Sequence, residues 1–300
     1  MMIRVHFQHF IRAVILAAFA IFFIELHITG DISKYINPKY DGTSRIAAGV
    51  FILFFCIQLF RIWENDEDSH VQCSPGCTHD HGYSGSLSKK LMSYCILIFP
   101  LLTGFAFAPT VLDSSIAAKK GTVLPQVNRN ENNGIEESVS ENDLTGIDEE
   151  QEVLPNNNFF SEDKYNQEMK KLEESEVIQM SDGMYSSYVE AMNMNPKDFE
   201  GRKIKVNGFV YKEEGLEENQ LVLSRFLITH CIADASITGL IAEFNQASEF
   251  EQDTWLEIEG TLEVTTYNGI ELPLIKAKKW TVIKEPDEPY IYPILIKVSE

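Results

Sequence analysis

The chain is poor in cysteine and, beyond its first third, poor in positive charge. Five cysteines in 300 residues are too few for a disulfide scaffold. Only Cys231 follows position 95, so the C-terminal part contains no second thiol to pair with. Residues 177–300 hold 11 Lys/Arg against 21 Asp/Glu, and residues 125–176 hold 4 against 15. Residues 1–124 are near balance, with 10 against 9. This shortage of basic surface excludes nucleic acid, whose phosphates require it. More than half of the net charge of −20 sits in the 125–176 stretch, where it reads as solvation of a linker. No Gly-rich phosphate loop, Gly-x-Ser-x-Gly or His-Glu-x-x-His is present. The residues therefore predict no enzyme.

Long apolar runs are what the sequence does have. Three stand out, near residues 10–29, 46–63 and 91–111. Each is about as long as a helix needs to be to cross a hydrocarbon core of roughly 30 Å. None shows the polar face of a helix packed in a soluble core, so three membrane spans are expected. Ala18-Phe19-Ala20 resembles a signal-peptide cleavage site, but Ile21-Phe22-Phe23-Ile24 continues the apolar run, and a retained helix is predicted. Glu25 and His27 near its end read as solvated headgroup-level residues. Cys56 and Cys95 read as small apolar side chains. Lysines and arginines flanking the runs tie between the two faces, so charge does not set orientation.

The expected organisation is a membrane domain over 1–111, an acidic linker over 112–176 and a soluble β-rich domain over 177–300. The linker is rich in Asn, Glu, Ser and Gly and lacks a sustained period, the composition of a disordered tether. Ser161 is a candidate cap for a charged helix over 162–176. A short helix is predicted over Tyr185–Met192, ended by Asn195-Pro196. Five strands follow: Lys203–Tyr211, Leu221–His230, Ile237–Phe244, Trp255–Val264 and Glu271–Ile283. Asn268-Gly269 is a strong hairpin signal between the last two. Five short strands with glycines inside them predict a small OB-like barrel. A β-sandwich is the alternative. Pro286, Pro289 and Pro293 make the tail extended.

Two clusters can carry chemistry. The loop between the second and third runs contains His70, Cys73, Cys77, His79 and His81, three of seven histidines and two of five cysteines. Thiolate and imidazole are the usual ligands of zinc, and Cu(I) also accepts sulfur. Pro75-Gly76 supplies a turn that brings the sulfurs together. A cytoplasmic face would keep these thiols reduced. The second cluster, His230, Cys231 and Asp234, falls at the end of the second strand of the β-rich domain. It can ligate a transition metal, hold an activated thiolate, or be a buried cysteine beside an ordinary polar histidine.

Several segments carry a resemblance. Phe199-Glu-Gly-Arg-Lys-Ile-Lys-Val-Asn-Gly-Phe-Val-Tyr211, Ser224-Arg-Phe-Leu-Ile-Thr-His-Cys-Ile-Ala-Asp-Ala235 and Asp253-Thr-Trp-Leu-Glu-Ile-Glu-Gly-Thr261 resemble the YcgQ-like family. So do Pro289-Tyr-Ile-Tyr-Pro293 and the Cys/His loop. These are bacterial membrane proteins described as permease subunits. The resemblance implies an accessory subunit in a lipid bilayer, paired with a larger multi-span permease and linked to a metal such as zinc. It also implies a Cys-Cys pair followed by an Asp at the strand end, where this chain has His230 before Cys231. That exchange keeps a metal ligand and removes a vicinal dithiol, which favours metal contact through His230, Cys231 and Asp234. A cytoplasmic N-terminus and an extracellular C-terminal domain follow from three spans and reduced loop thiols. The competing expectations are a thiol-dependent redox protein acting through Cys231 and a structural envelope adaptor.

Overall fold

The computed structural model describes residues 7–62, 87–107, 109–120, 123–124 and 159–297. The loop cluster His70, Cys73, Cys77, His79 and His81 lies outside the described residues. The chain divides into two compact units. One comprises Met1–Tyr35 and Tyr40–Thr110, and the other Ile36–Lys39 and Val111–Glu300.

The first unit is helical: α1 Phe7–Thr29, α2 Asp41–Ile62 and α3 Leu87–Ala106. Gly30, with φ 80, stops α1 in the left-handed conformation that glycine adopts without steric cost. Polar pairs at both ends show that α1 and α2 run antiparallel. His9 Nδ1 lies 2.7 Å from Gln58 Nε2, and His27 Nε2 lies 3.2 Å from Ser44 Oγ. Between these pairs Phe51 stacks on Phe19 and Phe23, with centroids 5.3 and 5.7 Å apart. Phe22 meets Phe105 of α3 edge-on. Gly104 allows this approach, because a Cβ there would lie 2.8 Å from the Phe22 ring.

Two of these helices are long and apolar enough to cross a membrane, over His9–Thr29 and Pro38–Ile62. Only 22% and 17% of their apolar windows are buried. A core helix of a water-soluble protein would be mostly covered, whereas here Ile21, Ile46, Phe54 and Phe60 are exposed. Lipid is the solvent that such surfaces suit. The third run, expected over 91–111, is helical only to Ala106, and its apolar stretch is the shorter Met92–Ala106. Pro109, three residues beyond Ala106, lacks the N–H that a continued helix would need.

The second unit is built on strands β1 Phe159–Ser161, β2 Val177–Gln179, β3 Lys203–Tyr211, β4 Gln220–Leu227, β5 Ser236–Glu243, β6 Trp255–Tyr267, β7 Ile270–Val282, β8 Tyr290–Ile291 and β9 Leu295–Lys297. The helices are α4 Ser114–Lys120, α5 Glu162–Glu174 and α6 Tyr185–Met194. Alternating apolar residues drive the five long strands. In β3, Ile204, Val206 and Val210 are buried, and in β6 Leu256, Ile258 and Leu262 are. Asn268 and Gly269, with φ 50 and 84, form the two-residue turn that places Tyr267 opposite Ile270.

The long strands pair in a circuit. β3 pairs β6, β6 pairs β7, β7 pairs β5 in parallel, β5 pairs β4, and β4 returns to β3 through Phe209–Tyr211 and Val222–Ser224. α6 packs its buried Tyr185, Tyr188, Val189 and Met192 into one hydrophobic cluster with Ile204, Leu223, Leu256 and Ile275. A second cluster combines Phe209, Phe226, Trp255 and Tyr290 with Ala117, Val123 and Leu124.

The β-rich unit thus includes residues N-terminal to the boundary expected at 177. Ser114 starts α4 with its N–H and hydroxyl donating to the Asp253 carboxylate, at 2.6 and 2.7 Å. Val123 N–H donates to Glu213. Residues 159–161 pair with 295–297, and Ser161 caps α5 by accepting the Lys164 N–H.

Candidate functional site

β4 runs out at Leu227, and the chain then turns through Thr229–Asp234, with a 3-10 turn over Ile232–Asp234. Asp234 organises this turn. Its carboxylate accepts the backbone N–H of Thr229 at 3.3 Å, of His230 at 2.8 Å and of Cys231 at 3.3 Å. His230 Nδ1 lies 2.9 Å from the same carboxylate. The Asp234 N–H in return is shared between the Cys231 sulfur and the Cys231 carbonyl. The result is a reciprocal cap of the kind usually made by Ser or Thr.

The carbonyl edge of the same tripeptide is held from elsewhere in the sequence. Asn37, 5% exposed, donates its side-chain amide to Ile228 O at 3.2 Å and Thr229 O at 3.0 Å. Its backbone N–H donates to His230 O at 2.9 Å. Ile36 forms an antiparallel bridge with Cys231. Lys39 N–H closes the segment by donating to the Asn37 side-chain oxygen.

His230 and Cys231 follow one another in the turn, with the His230 side chain 64% exposed and Cys231 a partly exposed free thiol. Asp234 is turned inward on its own backbone. Four donors surround its two oxygens, which leaves it suited to orienting the imidazole rather than to binding a cation. A carboxylate on Nδ1 directs a histidine to ligate through Nε2. The expected set of three ligands is therefore not assembled: among the described residues, no group of three or more His, Cys, Asp or Glu is placed to hold a metal ion.

Two residues of this region gave no sequence signal. Asn37 is one of many polar loop residues until its partners, 191 and 192 positions away, are known. Arg225 is the other. It is fully buried in β4, where alternation calls for an apolar side chain. Its guanidinium donates to Asp182 at 2.8 Å, Asn207 at 2.9 Å, Pro289 O at 3.1 Å and Glu288 O at 3.3 Å. It also lies 5.2 Å from the Trp255 ring and 5.7 Å from the Tyr185 ring. Burial pushes the Tyr185 phenol far up, against the opposing pull of Arg225. Arg225 thereby ties β4 to the tail residues just before β8, which pairs with Phe226 and Leu227. The strand that delivers the turn is fixed on this side.

Comparison with known proteins gives the same pattern over both units. Residues 11–123 match the DUF1980 N-terminal domain, and residues 156–293 match the DUF1980 C-terminal domain. The chain is 31% identical over 294 residues to the UPF0703 protein YcgQ of Bacillus subtilis, covering 94% of this chain and 98% of the relative. It is 26% identical over 289 residues to a Streptococcus mutans protein named "Putative two-component membrane permease complex subunit", again covering 94% and 98%. Among solved structures, a small single-stranded DNA-binding protein from Streptomyces coelicolor overlaps 28% of this chain at 13% identity and a TM-score of 0.19, covering 93% of that protein. A likeness that slight carries no conclusion. Matched along nearly its full length, the chain belongs to the DUF1980 family of YcgQ-like proteins.

Proposed function

We propose that this chain is a non-enzymatic accessory subunit of a two-component membrane permease. The observation that carries the reading is the Streptococcus mutans relative of that name, matched over 98% of its own length. The exposed apolar surfaces of α1 and α2 support it physically, since they suit lipid and membrane partners. The chain crosses the bilayer three times. In support, Ile36–Lys39, just before α2, belongs to the same soluble unit as residues 111–300. A chain that leaves that unit into α2 and rejoins it after α3 makes two crossings, and α1 adds the third. The N-terminus is cytoplasmic, the reduced Cys/His loop faces the cytoplasm, and the soluble unit is extracellular. The five-strand circuit, with its one parallel pairing between β5 and β7, supports an OB-type barrel.

The subunit handles a transition metal such as zinc. His230 and Cys231 contact it on the soluble unit with Asp234 as orienting group, and His70, Cys73, Cys77, His79 and His81 contact it in the loop. The support is donor chemistry: soft sulfur beside an imidazole whose Nδ1 is engaged by a carboxylate. Purification of the tagged full-length chain after mild solubilisation tests the function. A multi-span membrane protein is expected to co-elute in fixed stoichiometry. Elution of the chain alone, from membranes in which the candidate permease is expressed, would contradict it.

A further inference from the structure

From the sequence His27 is expected to be solvated at headgroup level, yet its side chain is only 12% exposed. It stands in the last turn of α1, across from Asp41 and Ser44 at the start of α2. Its two ring nitrogens meet different partners. Nε2 lies 3.2 Å from Ser44 Oγ, and Nδ1 lies 3.0 Å from Asp41 Oδ1. Nδ1 is buried and has no aligned hydrogen bond among the described residues. The carboxylate therefore acts on it as a charge, which attracts a protonated ring and meets a lone pair on a ring that carries its proton at Nε2. Both helix ends suit the ion pair, because a cation complements the C-terminal end of α1 and an anion the N-terminal end of α2. The other charges near this end are Arg45, Asp31, Lys34 and Glu25. Arg45 Nε reaches the second Asp41 oxygen at 2.9 Å from an exposed side chain, where water screens it. Asp31 and Lys34 pair with each other at 2.7 Å, and Glu25 is exposed. Where α3 meets α1, at Gly104 and Phe105, it brings no ionisable side chain.

A chain of Ser, His and Asp can activate a serine hydroxyl, but Ser44 is 8% exposed, and a substrate carbonyl does not reach it. A proton does. We propose that His27 is a proton-binding site that latches the end of α1 to the start of α2. The protonated imidazole donates Nε2–H to Ser44 and holds Asp41 by charge. Loss of the proton leaves the Asp41 carboxylate, partly withdrawn from water, facing a neutral ring. The sign follows: the proton is bound in the latched state, so the latch holds at low pH and loosens as pH rises through the range of about 5 to 8 in which an imidazole changes charge. His27 and Asp41 flank residues 28–40, so the latch sets the separation of that segment's two ends.

The test uses the full-length chain in lipid nanodiscs, with the five native cysteines replaced by serine. Nitroxide labels are attached at Ile28→Cys and Ile46→Cys, two exposed positions beside the latch, one on each helix. The electron-spin dipolar spectrum then reads the population in which the two helix ends are closed. That population is expected to fall about threefold or more between about pH 5.5 and 8.5. His27→Gln, which keeps a donor for Ser44, and Asp41→Asn should flatten the profile, and Asp41→Glu should retain it. A flat profile in the parent overturns the proposal. So does a profile that persists in His27→Gln or in Asp41→Asn, because another group then titrates. Should the variants fail to insert, deuterium exchange at the His27 imidazole C2 position, read by mass spectrometry on the parent, decides. A titration whose midpoint coincides with that of the dipolar change supports the proposal, and a midpoint elsewhere, or none, overturns it.

Discussion

Arg225 shows how one residue can hold together parts of the β-rich unit that are far apart in sequence. A guanidinium withdrawn from water is tolerable only when its donors are met, and here a carboxylate, an amide oxygen and two carbonyls meet them. Arg225→Met keeps the volume but orphans Asn207 and the Glu288 and Pro289 carbonyls. We expect it to destabilise the β-rich unit by about 3 kcal/mol, read from urea unfolding by Trp255 and Trp280 fluorescence. Arg225→Lys should recover little, because an ammonium does not reproduce the planar fork. Two carboxyls give pH predictions of opposite sign. Burial raises Glu213 above its ordinary value, partly offset by the Val123 N–H. A raised carboxyl stabilises the fold below its unfolded pKa and loses that contribution as pH rises through the folded value. Glu213→Gln should therefore increase stability at neutral pH and have no effect below about pH 4. Glu243 is lowered, chiefly by its hydrogen bond to Lys276. Its contribution is present above the unfolded pKa and lost as pH falls through the folded one, so Glu243→Gln should destabilise at neutral pH and converge with the parent in acid. Urea midpoints at two pH values decide both. At this scale the sequence was only partly legible. The nearness of His230, Cys231 and Asp234 was visible, but the inward turn of Asp234 depends on three backbone N–H groups whose direction composition does not reveal.

The long elements were legible because their periodicity is local. The expected strands Lys203–Tyr211 and Trp255–Val264 correspond to β3 and β6, the latter running on to Tyr267, and Tyr185–Met192 corresponds to α6, which ends at Met194. Strand ends were less legible: the strand expected to reach His230 stops at Leu227, because Asn37 and Asp234 replace a ladder partner beyond it. The short strands β1, β2, β8 and β9 gave no signal at all. Each is two or three residues long and exists through a distant partner, as β1 does through β9. Strand glycines were read from the sequence only as a sign of a coiled barrel, and the structure shows them as sites of close approach. A Cβ at Gly208, Gly239 or Gly260 would stand 2.7, 2.5 or 2.5 Å from a backbone oxygen of the neighbouring strand. At Gly260 this coincides with the bulge where Glu259 faces Lys279 and Gly260 faces Ala277. Gly239→Ala should cost about 1–3 kcal/mol by the same urea assay. Gly49→Ala in α2, where nothing lies within 4 Å of the new methyl, should leave helix content and detergent stability unchanged or improved.

For the whole molecule, composition alone separated an apolar N-terminal third from an acidic remainder. It did not disclose that Ile36–Lys39 belongs with the C-terminal part, since a four-residue segment has no periodicity and its partners lie almost 200 positions away. That membership supports the proposal of three crossings where the flanking charges tie, and from that proposal follows the placement of the two Cys/His clusters on opposite faces. Labelling with a membrane-impermeant maleimide tests this most directly, on intact cells and inverted vesicles carrying Cys56→Ser and Cys95→Ser. With Ser33→Cys as a reporter for the segment before α2, the account predicts that positions 33 and 231 react from the outside of cells. Cys73 and Cys77 should react only in inverted vesicles. Reaction of Cys73 and Cys231 from the same side would contradict it.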